Sequence, residues 1–194
     1  MAALHRAGRA VMGLGSLLLW SAAAQAADRV QALRPGINRI ALQAGAAPGM
    51  AMLAHRENFN AHGFEVLTLY AELPVSQGQR PQWQIVPLFD ATGEHLALKA
   101  GGGADCLLHD FRLLRPARGR DAELVLAERE LGESFASASQ VTFRFFRLHA
   151  NREGEVGRPV LYFEFDHAEV AKAAYCDVGE AMHAELGLPA ALLR

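Results

Sequence analysis

The chain is short of several things, and each shortage narrows what it can be. Its 194 residues hold two cysteines, Cys106 and Cys176, so it has no C-x-x-C pair and no cysteine zinc site. It has no run of basic residues and no stripe of interleaved aromatic and basic ones, which makes nucleic acid and anionic membrane surfaces poor partners. After the N-terminal stretch, no apolar segment reaches the roughly 18 to 20 residues that a bilayer span needs. Internal repeats and low-complexity linkers are missing too. So are S-x-x-K, H-E-x-x-H, H-x-H-x-D and the G-x-S-x-G elbow, and no serine triad can be read. A chain lacking every one of these signatures is expected to bind rather than to catalyse. It is therefore expected not to be an enzyme, with no catalytic residue, metal or cofactor assigned.

What is present begins at the N-terminus, "MAALHRAGRAVMGLGSLLLWSAAAQAADRV". Arg6 and Arg9 precede a short apolar core from Val11 to Trp20, and Ala24-Gln25-Ala26 fits a small-x-small cleavage site. This pattern predicts a cleavable signal peptide over 1–26, export to the periplasm, and a single β-rich domain over 27–194. Counted over that domain, 17 basic residues face 21 acidic ones, a net charge of about −4. In an oxidising compartment an even cysteine count predicts one disulfide, Cys106 to Cys176. Cys176 precedes a helix start, where a thiol can be activated by the helix dipole. Export makes a staple the better expectation.

Period-2 alternation dominates the rest. Strands are expected over "FEVLTLYAEL" (64–73), "WQIVPLF" (83–89, with Pro87 marking an edge or bulge), "HLALK", "CLLHDFRLL" (106–114), "AELVLAERE" (122–130), "QVTFRFFRL" (140–148) and "PVLYFEFD" (159–166). In 140–148, Val141, Phe143 and Phe145 are expected inward and Thr142 and Arg144 outward. A slip of phase at Phe145-Phe146 hints at a bulge. "HANREGEVGR" reads as a hairpin turn, and "LQAGAAPGM", "LKAGGGADC" and "PVSQGQRP" as loops. About eight or nine closely spaced strands predict an all-β fold, an antiparallel β-sandwich or barrel-like domain. Two capping boxes, Asp166 with Glu169 and Asp177 with Glu180, predict a helical turn through "AEVAKAA" and a short C-terminal helix ended by Gly187 and Pro189.

Candidate functional residues cluster in two places. The loop "HRENFNAHG" gathers His55, Arg56, Asn58, Asn60 and His62 between two strands, where a rigid β-scaffold often holds ligand-binding side chains. His55 and His62 are spaced unlike any zinc pattern, and the Asn side chains also suit a self-ordered loop. The second place is the end of "AELVLAERE", with Glu128 and Arg129, although alternation sets the two on opposite faces. "GGGADCLLHD" could cradle an anion, but no helix follows it, and it reads as a hairpin loop leading into a strand. His167 beside Asp166 looks like half a dyad, yet Asp166 is better explained as a cap.

Taken together, "RENFNAHGFEVLTLY", "WQIVP", "GADCLLHDFRLL", "LVLAERELGES", "VTFRFFRL" and "YCDVGEAMHAELGLP" resemble the periplasmic carbapenem self-resistance proteins of the CarG type. The resemblance runs from about Gly49 to Pro189. It implies a periplasmic protein that helps protect a cell from a carbapenem without hydrolysing it. The partner would be a small molecule, such as a carbapenem, or an envelope protein. The alternatives are an inhibitor or immunity-type module for an envelope-acting enzyme, and a small hydrolase or metal-binding protein using the 55–62 loop.

Overall fold

The computed structural model describes residues 28–191, apart from 47, 61, 74–79, 104 and 118. The expected signal peptide and most of the "PVSQGQRP" loop lie outside the described residues. Eleven strands and one helix follow in chain order: β1 (Gly36–Ile40), β2 (Gly49–Arg56), β3 (Phe64–Leu73), β4 (Gln82–Ile85), β5 (Leu88–Asp90), β6 (Gly93–His95), β7 (Leu98–Gly101), β8 (His109–Leu114), β9 (Glu123–Arg129), β10 (Val141–Ala150), β11 (Leu161–Val170) and α1 (Val178–Leu186).

All eleven strands belong to one sheet, in the order β1-β2-β3-β7-β8-β9-β10-β11-β5-β6, with β4 attached to β3. The sheet curls until β3 and β11 are bridged. One edge of β3 takes β7 along Phe64–Leu67 and β4 along Tyr70–Leu73. The Val86 N–H then donates to the Leu69 carbonyl at 2.8 Å, and the Pro87 carbonyl accepts from the Phe163 N–H at 2.8 Å. Pro87 is therefore where the chain leaves β3 for β11. It has no N–H to place in a ladder, and the expected single strand 83–89 is split there into β4 and β5. The pairing of β5 with β11 is parallel, the exception in an otherwise antiparallel, barrel-like sheet.

Two apolar layers result. The inside of the curl holds Leu53, Leu67, Leu69, Leu98, Phe111, Leu113, Leu124, Phe146, Leu148 and Phe163, all buried. Outside β8–β10 a second layer of Val125, Ala127, Val141 and Phe143 is covered by Val178, Ala181 and Met182 of α1. Those three helical residues are 0% exposed and sit at i, i+3 and i+4, one face of a helix. Burying a Met or Val side chain is worth about 1.5–3 kcal/mol, so this stripe holds the helix against the sheet.

The presence of both layers corrects the reading of 140–148. The strand keeps its alternation, but both of its faces are buried. Val141, Phe143 and Phe145 pack toward the helix, while Phe146 and Leu148 enter the inner core. Arg144 therefore faces the inside of the curl rather than solvent. The expected irregularity does occur in the register between Phe145 and Phe146, where His167 and Phe165 are their partners. The extra residue is Asp166 on β11. That also corrects the expectation of a helical turn from Asp166: β11 continues as strand to Val170, because its ladder to β10 satisfies the backbone groups that a helix would have paired internally.

The C-terminal helix and the disulfide are as expected. Cys106 and Cys176 are joined with Cα atoms 5.3 Å apart. The Asp177 carboxylate accepts from Gly179 N (2.7 Å) and Glu180 N (3.3 Å) as N-cap, and from Leu107 N (3.3 Å) across the disulfide. Gly187 closes the helix at φ 65°. A third tie is Arg112, fully buried, which donates to the carbonyls of Pro189 (2.9 Å) and Ala190 (2.8 Å) and so anchors the tail.

Candidate functional site: the mouth of the curled sheet

At the end of the barrel where β5, β7, β8, β9 and β10 converge, the apolar core opens into a cleft of about 370 Å³. Its floor is Leu88, Leu98, Leu126 and Phe146; Asp90, His95, His109, Glu128 and Arg144 are its polar groups at the rim, and Lys99 and Asp110 also line it. Alternation explains their meeting. Four of the rim groups lie on the same strand face as a core residue two positions away: His109 as Phe111, Glu128 as Leu126, Arg144 as Phe146, Asp90 as Leu88. An apolar floor with a few fixed polar groups is the usual make-up of a small-molecule site.

Asp90 organises the rim. Its side chain is only 4% exposed and accepts from Thr92 N (2.8 Å), Thr92 Oγ1 (2.6 Å), His95 Nε2 (3.1 Å) and Arg144 Nη2. Burial alone would raise its pKa. The hydrogen bonds from Thr92, Arg144 and His95 outweigh that and hold the carboxyl well below the usual carboxylate range. Because an ionised carboxylate can only accept, His95 Nε2 must carry its proton here. Arg144 is also flanked by aromatic rings, 5.2 Å from the centroid of Phe146 and 5.6 Å from that of Phe165. Its other nitrogen, Nη1, stands 3.6 Å from Glu128 Oε1. One side of the guanidinium is thus anchored and the other is loosely held, with Glu128 half exposed.

The sequence candidates are distributed unevenly around this site. Glu128 joins the mouth. Arg129 points the opposite way, buried, and donates to the carbonyls of Ser134 (3.2 Å), Phe135 (3.0 Å), Ser137 and Cys176 (3.4 Å), tying the 130–138 loop to the clasp. The loop carrying His55 to His62 lies elsewhere. Asn58 Nδ2 donates to the His62 carbonyl at 2.7 Å, and Asn60 Oδ1 accepts from His62 N at 2.9 Å. His55 Nδ1 stands 3.2 Å from Glu65, and Arg56 lies over the Phe64 ring at 5.9 Å. His55 and Gly63 do meet the glycine run Gly101 and Gly103 in a second groove of about 590 Å³, beside Asp177 and Asp110, the last of which also lines the mouth. Among the described residues, no group of three or more His, Cys, Asp and Glu could hold a metal ion.

Asp90, His95 and Arg144 are not among the sequence candidates, and His109 enters only as part of the segment "GGGADCLLHD". His109 was legible by its alternation with Phe111. Asp90 reads as a residue of the turn "DATGE", His95 as the start of the strand "HLALK", and Arg144 as an outward charge, because nothing local shows that the other face of β10 is also covered.

Fold and site together define a β-rich, barrel-like domain with a disulfide-clasped helix and a ligand-sized mouth. No protein-family profile and no curated protein sequence matches the chain. A solved structure does: the crystal structure of CarG superposes with a TM-score of 0.66 at 21% identity, over 82% of this chain and 98% of that one. This chain therefore has a CarG-like fold.

Proposed function

We propose that the protein is an exported, non-hydrolytic protective factor that binds a carbapenem in the mouth of its curled sheet. The observation that carries this reading is the likeness to CarG over 98% of that chain, joined to the resemblance of its segments to the CarG-type self-resistance proteins. Placement in the periplasm is supported by the N-terminal signal pattern and by the Cys106–Cys176 disulfide. The non-hydrolytic part is supported by the lining of the mouth. It offers carboxylates, imidazoles, a guanidinium and the Lys99 ammonium, but no serine, threonine or cysteine. A bicyclic ring system would rest on Leu88, Leu98, Leu126 and Phe146, and its carboxylate would displace Glu128 from the loosely held side of Arg144.

The test is export of the full chain in a carbapenem-sensitive bacterium. A raised inhibitory concentration is expected, together with full recovery of intact drug after incubation with the purified protein. An unchanged inhibitory concentration, with the protein shown to be folded and exported, refutes the drug-specific reading. Loss of intact drug refutes the non-hydrolytic part.

A further inference from the structure

The strands β1 to β4 bury one face in the barrel and leave the other open. Inward go Ile40, Ala51, Leu53, Leu67 and Leu69. Outward, by alternation and by register, go Ile37, Met50, Met52, Tyr70, Trp83 and Ile85: Ile37 pairs with Met52, Met50 and Ile85 both pair with Tyr70, and Trp83 pairs with Glu72. Ile37 is 68% exposed, Met52 39% and Trp83 44%. The helix packs on β8, β9 and β10, and among the described residues no element lies over this face. Contiguous apolar surface of this kind on a sheet marks an interaction site, and Trp, Tyr and Met are residue types enriched in protein interfaces.

The charge around the face selects the partner. Arg39 is on the same face of β1, and Arg56 and Lys99 flank the Phe64 ring at its other side, 5.9 and 5.2 Å from the centroid. Elsewhere Arg29, Arg112, Arg144 and Arg158 each pair with a carboxylate. Arg39, Arg56 and Lys99 have no such partner among the described residues. A second copy docked through the same face would set these three cations against one another, with Glu72 beside Trp83 as the one carboxylate on the described strands of the face to offset them. A lipid surface is a poor fit, because three cations at about 1 kcal/mol each give weak attraction. We propose that the outward face of β1–β4 is the docking surface for a protein partner that presents apolar side chains rimmed by carboxylates. This holds independently of what the mouth binds.

The experiment replaces Met52 with the photo-cross-linker benzoylphenylalanine in the full-length protein and irradiates living cells of the source organism. The expected result is an adduct with one other protein that is not formed from Val156, which is 98% exposed on the β10–β11 hairpin. The double reversal Arg39→Glu, Arg56→Glu should lower the adduct at least tenfold while the unfolding midpoint is kept. A carboxylate-to-lysine change at the cross-linked site of the partner should then restore it. An adduct with a second copy, with lipid or with nothing overturns the proposal, as does an adduct indifferent to the reversal. If the double variant unfolds, Arg39→Gln and the salt dependence of the purified complex decide instead. Affinity unchanged between about 50 and 300 mM salt, where screening of exposed charges grows, overturns it.

Discussion

Replacing Arg112 with methionine is the sharpest test of how the C-terminal clasp is held. The guanidinium is completely buried and makes four hydrogen bonds: to Asp110 Oδ2 (2.6 Å) and to the carbonyls of Phe111 (2.6 Å), Pro189 (2.9 Å) and Ala190 (2.8 Å). Methionine fills much of the volume, so cavity formation is a minor cost. The major one is Asp110, whose side chain is 4% exposed and would lose its counter-ion. Removing one partner of a buried ion pair costs about 3–5 kcal/mol, which for a domain of this size lowers Tm by roughly 6 to 20 °C. The loss should depend on pH in a definite direction. Burial already raises the Asp110 pKa above its ordinary value, against the pull of Arg112. Its ionised form therefore costs stability that is absent below the unfolded pKa of about 4 and grows as pH rises through the folded one. Without Arg112 the folded pKa climbs further. Chemical denaturation should then show the variant closest to wild type near pH 4 and furthest from it at neutral pH, and Asp110→Leu added to Arg112→Met should recover much of the loss. A loss below about 1 kcal/mol, an equal loss at both pH values, or a double variant no better than the single would refute the reasoning.

Cys106→Ala with Cys176→Ala opens a link spanning 70 residues, for which the chain-entropy estimate is about 4 kcal/mol; the denaturant midpoint measures it. Wild-type protein unfolded without reductant should show no free thiol. Asp90, whose folded pKa is depressed, contributes stability that is complete above its unfolded value of about 4 and drains away as pH falls below it. Asp90→Asn should therefore flatten the acid limb of the stability profile, and an unchanged limb would count against the network drawn around Asp90. Glu128→Trp fills the mouth from a half-exposed position. Protection from the drug should disappear while the stability changes by only about 0.5 kcal/mol, as read by inhibitory concentration beside a melting curve.

Local rules foresaw a good deal of this structure. The alternation of 64–73 marked β3 to the residue, because its inner face is apolar at every second position. The cap at Asp177, the left-handed Gly187 and the apolar spacing between them announced α1. Where local rules failed, a neighbour distant in sequence had changed the meaning of a residue. Asp166 with Glu169 is a sound capping box, yet the β10 edge was available and β11 continued along it. Arg144 reads as outward-facing while one face of β10 is assumed wet, and turns inward once α1 is seen to cover the other. In the 55–62 loop the self-ordering that its asparagines suggest is seen, with Asn58 and Asn60 holding the backbone of His62.

By itself the sequence determined the fold class, the staple and the terminal helix, since each follows from period, spacing or capping within a few residues or from the pairing of two cysteines. Only the tertiary structure decided where the candidate site sits. The mouth draws Asp90, His95, His109, Glu128 and Arg144 from five strands, and no local pattern encodes that meeting. It arises because the Val86-Pro87 crossing closes the sheet between β3 and β11 and brings one rim of the curl together.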